Sequence, residues 1–413
     1  MKEEIRKHLN DPGQLERMYR INKLHFKRAF STIYPELTGN TIADFWNERL
    51  NYDSDEINWG TGREILLVII AALAAGLIAK LPAFLPIEEE FFYSRNIGFI
   101  VFSVLSAYFA WRNKLSAAKI AFIAGTILAG LVFINFLPAA KESDTLVLSC
   151  VHLLLFLWSV LGVAFIGEFK NNEDRRLGYL KYNGDLVVMT TLILLAGAIL
   201  TGITLGLFSV IGFRIETFYF DYVGIFGLAA APVVGTYLTL TNPQLVGKVS
   251  PVIAKIFSPL VLVMLVVYLI AMIYSGKDPY NDREFLLVFN ALLIGVMAII
   301  FFSVAETSKA KSKAEIWVLF LLSIVTIVVN SIALSAISFR ISEWGLTPNR
   351  AAVLGGNVLI LINLLLVTAQ LFKVISKKAN ISAVGNSIAG YLPAYFFWTI
   401  IVTFIFPFIF GFK

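Results

Sequence analysis

Six polar side chains lie inside long apolar segments of this sequence, where few hydrogen-bonding partners are expected. They are His152, Asn290, Asn330, Asn357, Asn363 and Gln370. An amide or imidazole buried in hydrocarbon without a partner costs on the order of kilocalories per mole. Each of these side chains is therefore expected either to bond a neighbouring helix or to contact a polar ligand.

Most of these side chains fall at a similar depth, in four different apolar segments. The four at this depth are His152, Asn290, Asn330 and Asn357. A shared level is consistent with a polar cavity that opens outward, or with hydrogen bonds that hold a helical bundle together. We favour hydrogen bonds between helices, because asparagine packs acceptably there and no acidic residue lies at this depth to couple an ion.

A short connection between two apolar segments carries three charged residues, Arg340, Glu343 and Arg350. An ion pair between an arginine and the glutamate would lock the turn, although exposed pairs contribute only about 0–1 kcal/mol. Alternatively, the two arginines recruit an anionic ligand, because a guanidinium binds phosphate or carboxylate through parallel hydrogen bonds. We favour locking and keep recruitment as the alternative.

The same connection has the residues of a well-formed turn. Gly345 can adopt the backbone conformation that reverses the chain, Thr347 can cap a helix, and Pro348 can occupy its first position. A second irregularity is predicted at Pro232, which lies in the middle of an apolar segment. Because proline removes a backbone donor and clashes with the preceding turn, we expect the helix to kink or break there.

The sequence contains no recognisable catalytic or metal-binding motif. It has three histidines and one cysteine, Cys150, and it lacks the patterns typical of zinc sites, nucleophile elbows and phosphate-binding loops. We therefore predict no catalytic residue, no metal site and no cofactor, and an enzyme is the least favoured class.

These polar residues must be positioned by helices in a bilayer. Of the 413 residues, 58% are hydrophobic and only 15% are charged, which is outside the usual range of soluble proteins. A helix needs about 20 apolar residues to cross the hydrocarbon, and eleven segments approach that length. They lie at about 64–86, 95–111, 116–138, 145–168, 185–212, 222–241, 251–275, 284–305, 315–340, 349–372 and 391–410. The prediction is an all-α, polytopic membrane bundle of about eleven transmembrane helices.

Basic residues alternate between the connecting loops. One set of alternate loops carries roughly twice as many Lys and Arg residues as the other, and this excess marks the cytoplasmic side. The protein is therefore predicted to span the inner membrane of a cell, with its N-terminus in the cytoplasm and Lys413 on the outer side. The net charge of +6 is explained by these loops, so no nucleic-acid partner is predicted.

Residues 1–62 are predicted to form a small helical cytoplasmic head, and residues 63–413 the transmembrane domain. Asp11 and Pro12 have the chemistry of a helix start, and a second helix is expected from Asn40 or Thr41. The second helix would bring Ile42, Phe45, Trp46 and Leu50 onto one side. The apolar faces either meet each other, which we favour, or leave a basic face for anionic lipid or a protein partner.

The turn between the ninth and tenth segments reads Arg-x-x-Glu-x-Gly-Leu-Thr-Pro-x-Arg, from Arg340 to Arg350. It resembles the signature of a family of bacterial multi-spanning membrane proteins of unknown function, the domain of unknown function numbered four-one-five-three. The resemblance covers the membrane region from Leu66 onward. It implies a multi-spanning fold in the bacterial inner membrane and singles out the residues of this turn, but it implies no reaction.

Two classes of function remain open from the sequence. The first is a permease, or a protein that handles lipid or a small anionic solute, with an outward-facing polar cavity. The second is a non-catalytic membrane sensor or scaffold that acts through its cytoplasmic head. The partners predicted are the lipid bilayer, anionic lipid or a small anionic solute, and a protein at the head.

Overall fold

A computed structural model describes most of the chain. It describes residues 2–21, 23–51, 59–138, 143–168, 172–210, 214–247, 258–263, 265–267, 269–270, 280, 283–305 and 313–412. The fold is all-α, as predicted, and the described residues contain no strand. Contacts divide the chain into two compact units, Met1–Asn58 and Trp59–Lys413.

The described residues of the first unit, here called the head, form four α-helices and a short 3-10 helix, Tyr34–Glu36. The α-helices are α1 (Lys2–Lys7), α2 (Pro12–Ile21), α3 (Lys23–Ile33) and α4 (Thr41–Asn51). The Asp11 carboxylate accepts hydrogen bonds from the backbone N–H groups of Gly13 and Gln14, both at 3.1 Å, which starts α2 as predicted. The amide oxygen of Asn40 starts α4 in the same way.

The head has a hydrophobic core of its own, formed mainly by Leu15, Phe26, Phe30 and Trp46. Phe45 departs from the prediction, because its side chain is 61% exposed while Trp46 and Leu50 are buried. The helical pattern places Phe45 beside the apolar face, but the core is already filled by the larger indole of Trp46 and by α3.

The second unit, here called the bundle, includes a short apolar helix, Ser258–Val267, and the described helices labelled α5 to α16. They are α5 (Gly62–Ala79), α6 (Leu81–Phe84), α7 (Glu89–Arg112), α8 (Ala117–Phe136), α9 (Asp144–Ile166), α10 (Glu173–Val210), α11 (Glu216–Thr241), α12 (Pro243–Gly247), α13 (Arg283–Ala305), α14 (Lys313–Trp344), α15 (Pro348–Ile375) and α16 (Ile381–Ile409). Among the described residues, a small hydrophobic core lies at Ala352, Val402 and Phe406, and two large cores hold the bundle. One joins α5, α7, α8, α9 and α11, and the other joins α13 to α16, while α10 contributes to both.

Among the described residues of the bundle, eight helices are long and apolar enough to cross a membrane. They coincide with eight of the eleven predicted segments. The second predicted segment lies in α7, which contains Arg95, Asn96 and Arg112 and is less apolar than these eight. The seventh lies largely outside the described residues, and a shorter apolar helix, Leu292–Ala305, lies within the eighth. The count of eleven therefore stays a prediction.

Hydrogen bonds from side chains reinforce the packing of α5 against α7 and α11. Glu64, near the start of α5, accepts hydrogen bonds from Arg112 and from the Tyr108 hydroxyl of α7. On α11, the hydroxyl of Tyr237 donates to the backbone carbonyl of Trp59. The start of α5 therefore lies beside the end of α7 and the end of α11, so α5 runs antiparallel to both.

Candidate functional site

Three of the predicted amides form a hydrogen-bonded connection between α13, α14 and α15. The Nδ2 atom of Asn357 donates to Oδ1 of Asn290 at 2.8 Å, and Nδ2 of Asn330 donates to the backbone carbonyl of Asn357 at 3.0 Å. Asn330 is fully buried and Asn357 is 3% exposed. These contacts are hydrogen bonds between helices, which the sequence analysis favoured over an outward-facing polar cavity.

Two buried amide oxygens near this connection accept no hydrogen bond from a described residue. They are Oδ1 of Asn330 and Oδ1 of Asn363. The Nδ2 atom of Asn363 donates to the hydroxyl of Tyr395 on α16 at 3.1 Å. Buried oxygens without a protein partner are places where an internal water or a polar solute can bind.

His152 is not hydrogen-bonded to these amides. Its Nδ1 atom lies 3.0 Å from the backbone carbonyl of Leu148, one turn earlier in α9. This contact satisfies one ring nitrogen within the same helix. Four polar residues were predicted at one depth. Three of them are connected by hydrogen bonds, and His152 is not part of this group.

The turn between α14 and α15 forms as the sequence predicts. Gly345 has a φ of +75°, the Thr347 hydroxyl accepts a hydrogen bond from the backbone N–H of Arg350, and Pro348 opens α15. These features reverse the chain within a few residues, so the turn is locally determined.

The arginines of this turn bind backbone carbonyls. The Nη1 atom of Arg350 donates to the carbonyl of Trp344 at 2.8 Å and to that of Gly345 at 2.6 Å. Arg340 is buried, and its Nε atom donates to the carbonyl of Tyr280 at 2.7 Å. Among the described residues, no ion pair joins Glu343 to either arginine, so the ion pair that we favoured as a lock is absent. The carbonyls exposed at the end of α14 offer closer partners than the exposed carboxylate.

Of the kink or break predicted at Pro232, the break is wrong, and the kink stays a prediction. Helix α11 continues through Pro232 to Thr241. A proline removes one hydrogen bond from the helix, and the buried neighbours Ala229, Ala231 and Val233 pack α11 on both sides of it. The irregular part of α11 is instead a π-helical turn at Tyr219–Gly224.

Two buried cations of the bundle were missed or misjudged from the sequence. Lys80, at the end of α5, is only 7% exposed, and its Nζ atom lies 3.8 Å from Oδ1 of Asp221. Arg95, the first residue of the second predicted segment, is buried and donates to the carbonyls of Ile134 and Leu137 at the end of α8. Both lie at ends of apolar segments, where composition cannot distinguish a buried side chain from an exposed one.

The first half of α10 carries a further polar cluster that the sequence analysis did not include. Tyr182 shares a 2.8 Å hydrogen bond with Thr236, and Asn183 accepts one from the indole of Trp158 at 2.9 Å. The fifth segment was predicted to start at residue 185, whereas α10 starts at Glu173. Asp185 therefore lies well inside the helix and is buried.

The head has a groove of about 530 Å³ between α2 and α4. Its floor contains a charged group in which Glu16 accepts hydrogen bonds from Arg20 at 2.8 Å and bonds Arg49 at 2.9 Å. The guanidinium of Arg49 also lies over the Trp46 ring, 4.9 Å from its centroid. The hydrogen bond from Arg20, opposed by partial burial and aided by the charge of Arg49, lowers the pKa of Glu16.

Within the described part of the chain, no three His, Cys, Asp or Glu side chains come together as ligands of a metal ion would. The arrangement consists of buried amides, buried cations and an open groove, which can bind partners and ligands.

The fold defines the class of protein to which this chain belongs, an all-α protein with the apolar helices of a multi-pass membrane protein. Comparisons with known protein families, with curated proteins and with solved structures found no match to the chain. The resemblance stated for the turn at Arg340–Arg350 therefore stays a prediction.

Proposed function

We propose that this protein is a membrane-anchored sensor or scaffold that binds a protein partner through its head. The single observation that carries the proposal is the groove between α2 and α4, on a unit with its own hydrophobic core. The buried amides of the bundle, by contrast, are bonded to each other, which removes the main support for a wide polar cavity around Asn330 and Asn357.

The groove has the chemistry of a protein-binding surface. Phe45 and Ile42 offer apolar surface at one wall, and Arg20 and Arg49 offer guanidinium groups whose remaining donors can bind a carboxylate. Aromatic and arginine side chains contribute most of the binding energy at protein interfaces. The partner is therefore a protein segment with an apolar anchor next to an acidic side chain.

A photo-crosslinking amino acid tests this proposal in cells that contain the full-length protein. Placed at Phe45, it should form a covalent adduct with one specific protein, because this side chain projects into the groove. Placed at Lys27, an exposed position of α3 outside the groove, it should not. The adduct at position 45 should disappear when Arg20 and Arg49 are both changed to Glu. Equal labelling at both positions, or none at position 45, would contradict the proposal.

We also propose an orientation with the head in the cytoplasm and the C-terminus outside, in the inner membrane of a bacterium. The support is the excess of basic residues in alternate loops and the resemblance at the turn. Reporter fusions that are active on only one side of the membrane should report opposite sides for the two ends of the chain. Two fusions that report the same side would overturn the orientation and the odd number of spans.

The second candidate is a permease, or a protein that handles lipid or a small anionic solute. It is favoured by the two buried oxygens, Oδ1 of Asn330 and Oδ1 of Asn363, because a solute path needs polar groups that the protein leaves unbonded. The imidazole of His152 and the amides of Asn290 and Asn357 would then border the path only after the helices separate.

The accessibility of engineered cysteines distinguishes a solute path through the bundle from a dry interface between packed helices. In a Cys150→Ala background, the variants Asn330→Cys and Asn363→Cys are treated with a small membrane-impermeant thiol reagent. Labelling of both would establish a water-filled path, whereas protection of both would exclude it in the resting protein. Glu343→Cys, in the exposed turn, is the positive control, and Ser331→Cys, on the exposed surface of the same helix as Asn330, is the lipid-facing control.

A further inference from the structure

Lys80 is a buried cation that lacks a hydrogen-bond acceptor among the described residues. It lies just after α5, and its side chain is almost completely buried. Its Nζ atom lies 4.8 Å from the ring centroid of Tyr222 and 3.8 Å from a carboxylate oxygen of Asp221, which is too far for a hydrogen bond. The ammonium carries three donors, and no described residue places an acceptor within hydrogen-bond distance of it. The Nζ atom is not among the fully buried atoms that lack a partner, so an acceptor from outside the protein can reach it.

The residues around Lys80 carry more negative than positive charge. Asp221 is about half exposed. The hydroxyl of Tyr93 donates to the carbonyl of Ala79, which places the first turns of α7 beside Lys80. These turns begin with the exposed acidic residues 88–90. A purely anionic ligand would be repelled by this surface, whereas a ligand with a phosphate and an ammonium group would be complementary to it.

The position of Lys80 in the bundle matches the level of lipid headgroups. Helix α5 has 18 residues, which corresponds to about 27 Å at about 1.5 Å per residue, so its end lies near the boundary of a bilayer core of about 30 Å. Phe84 and Phe220, which flank the site along the chain, are 62% and 55% exposed. Exposed rings at this level can lie against acyl chains.

We propose that Lys80, Asp221 and Tyr222 bind the headgroup of a zwitterionic phospholipid that carries a primary ammonium group. The phosphate accepts hydrogen bonds from Nζ of Lys80, and the ammonium group donates to the exposed carboxylate of Asp221. The π-helical turn at Tyr219–Gly224 places the tyrosine and the carboxylate on the side of α11 that faces Lys80. This inference does not depend on the function proposed for the head.

The test measures the thermal stability of the delipidated full-length protein in detergent after addition of defined compounds. Phosphatidylethanolamine should raise the melting temperature by several degrees. Phosphatidylcholine, which has no N–H donor, and phosphatidylglycerol, which has no ammonium, should bind roughly tenfold more weakly, equivalent to about 1.4 kcal/mol. Inorganic phosphate and soluble phosphoethanolamine distinguish a lipid site from a site for a free phosphate.

Three variants assign the effect to this site. Lys80→Met should abolish the shift, and Asp221→Asn should abolish only the preference for phosphatidylethanolamine over phosphatidylglycerol. Glu88→Gln, an exposed acid at the same end of the bundle, should retain both. If Lys80→Met does not fold, Lys80→Arg should retain a shift, and the ranking of lipids on the unmodified protein remains decisive. An equal shift with phosphatidylglycerol, an equal shift with inorganic phosphate, or no shift with any lipid would each overturn the proposal.

Discussion

Arg350 stabilises the turn between α14 and α15 by bonding two backbone carbonyls with one nitrogen atom. The last carbonyls of a helix have no partner within the helix, so a guanidinium that folds back over them satisfies groups that would otherwise need water. Its positive charge also interacts favourably with the negative end of the helix dipole. The two arginines of this turn are therefore already engaged, which limits their availability for an anionic ligand.

Changing Arg350 to Ala should destabilise the protein by about 1.5–3 kcal/mol, the usual contribution of hydrogen bonds to charged groups. Arg350→Lys should recover part of this loss, because an ammonium retains the charge but not the planar geometry. Unfolding of the purified protein in detergent, followed by circular dichroism, measures the effect. Glu343→Gln is the control and should change stability by less than about 0.5 kcal/mol. If it destabilises as strongly as Arg350→Ala, an ion pair holds the turn after all.

The bond between Asn357 and Asn290 should be measurable as a coupling energy. In membrane proteins, hydrogen bonds between helices average about 0.6 kcal/mol and reach about 1.7 kcal/mol. A double-mutant cycle of Asn290→Ala and Asn357→Ala should give a value in this range, because each change leaves the other amide unpaired. A coupling energy of zero would show that water replaces the bond, as in an open cavity.

At the scale of helices, glycines determine how closely neighbouring elements approach. A side chain at Gly355 of α15 would overlap the indole ring of Trp398 on α16, and one at Gly76 of α5 would overlap the ring of Phe226 on α11. Large aromatic rings pack against the bare backbone at these positions. Such packing is the main attraction between helices in lipid, where burial of apolar surface contributes little.

Gly355→Ala should therefore destabilise the bundle by about 1–3 kcal/mol, the usual cost of overpacking. Gly390→Ala is the matched control, because an added Cβ there meets nothing within 4 Å. The control should be neutral or slightly stabilising, since alanine has a higher helix propensity than glycine. Comparing the melting temperatures of the two variants distinguishes the cost of overpacking from the effect of helix propensity. Equal effects would mean that Trp398 moves aside without cost.

At the scale of the whole molecule, the head and the bundle are stabilised by different forces. The head has a small core and a network of charged side chains at its surface, whereas the bundle depends on packing and on buried amides. The two units should therefore respond differently to pH and salt. Because the head has its own core, residues 1–58 can be studied alone.

The stability of the isolated head should decrease at acid pH because of Glu16. The pKa of Glu16 is lowered in the folded head, so its stabilising contribution is complete above the ordinary value of 4.5 and is lost as pH falls through the folded value. Denaturation followed by the fluorescence of Trp46 should show Glu16→Gln to be less stable than the unchanged head at neutral pH. The difference should vanish at low pH and shrink in about 1 M salt, where the Debye length is about 3 Å. A difference that does not depend on pH would exclude Glu16 as its origin.

The sequence by itself determined the fold class, eight helices long and apolar enough to cross a membrane, the starts of α2 and α4, and the turn at Gly345–Pro348. All of these depend on interactions between neighbours in sequence: hydropathy over one helix length, a capping side chain, a glycine or a proline. The resemblance at the turn and the count of eleven spans remain predictions.

Only the tertiary structure decided the partners of the polar side chains. The bonding of Asn330 to Asn357, the burial of Lys80 and Arg95, and the exposure of Phe45 each depend on groups from distant parts of the chain. The same is true of Pro232, whose helix continues because its neighbours on both sides are packed against other helices. The local sequence shows which polar groups need a hydrogen-bond partner. Which group becomes that partner depends on how the helices pack in the assembled bundle.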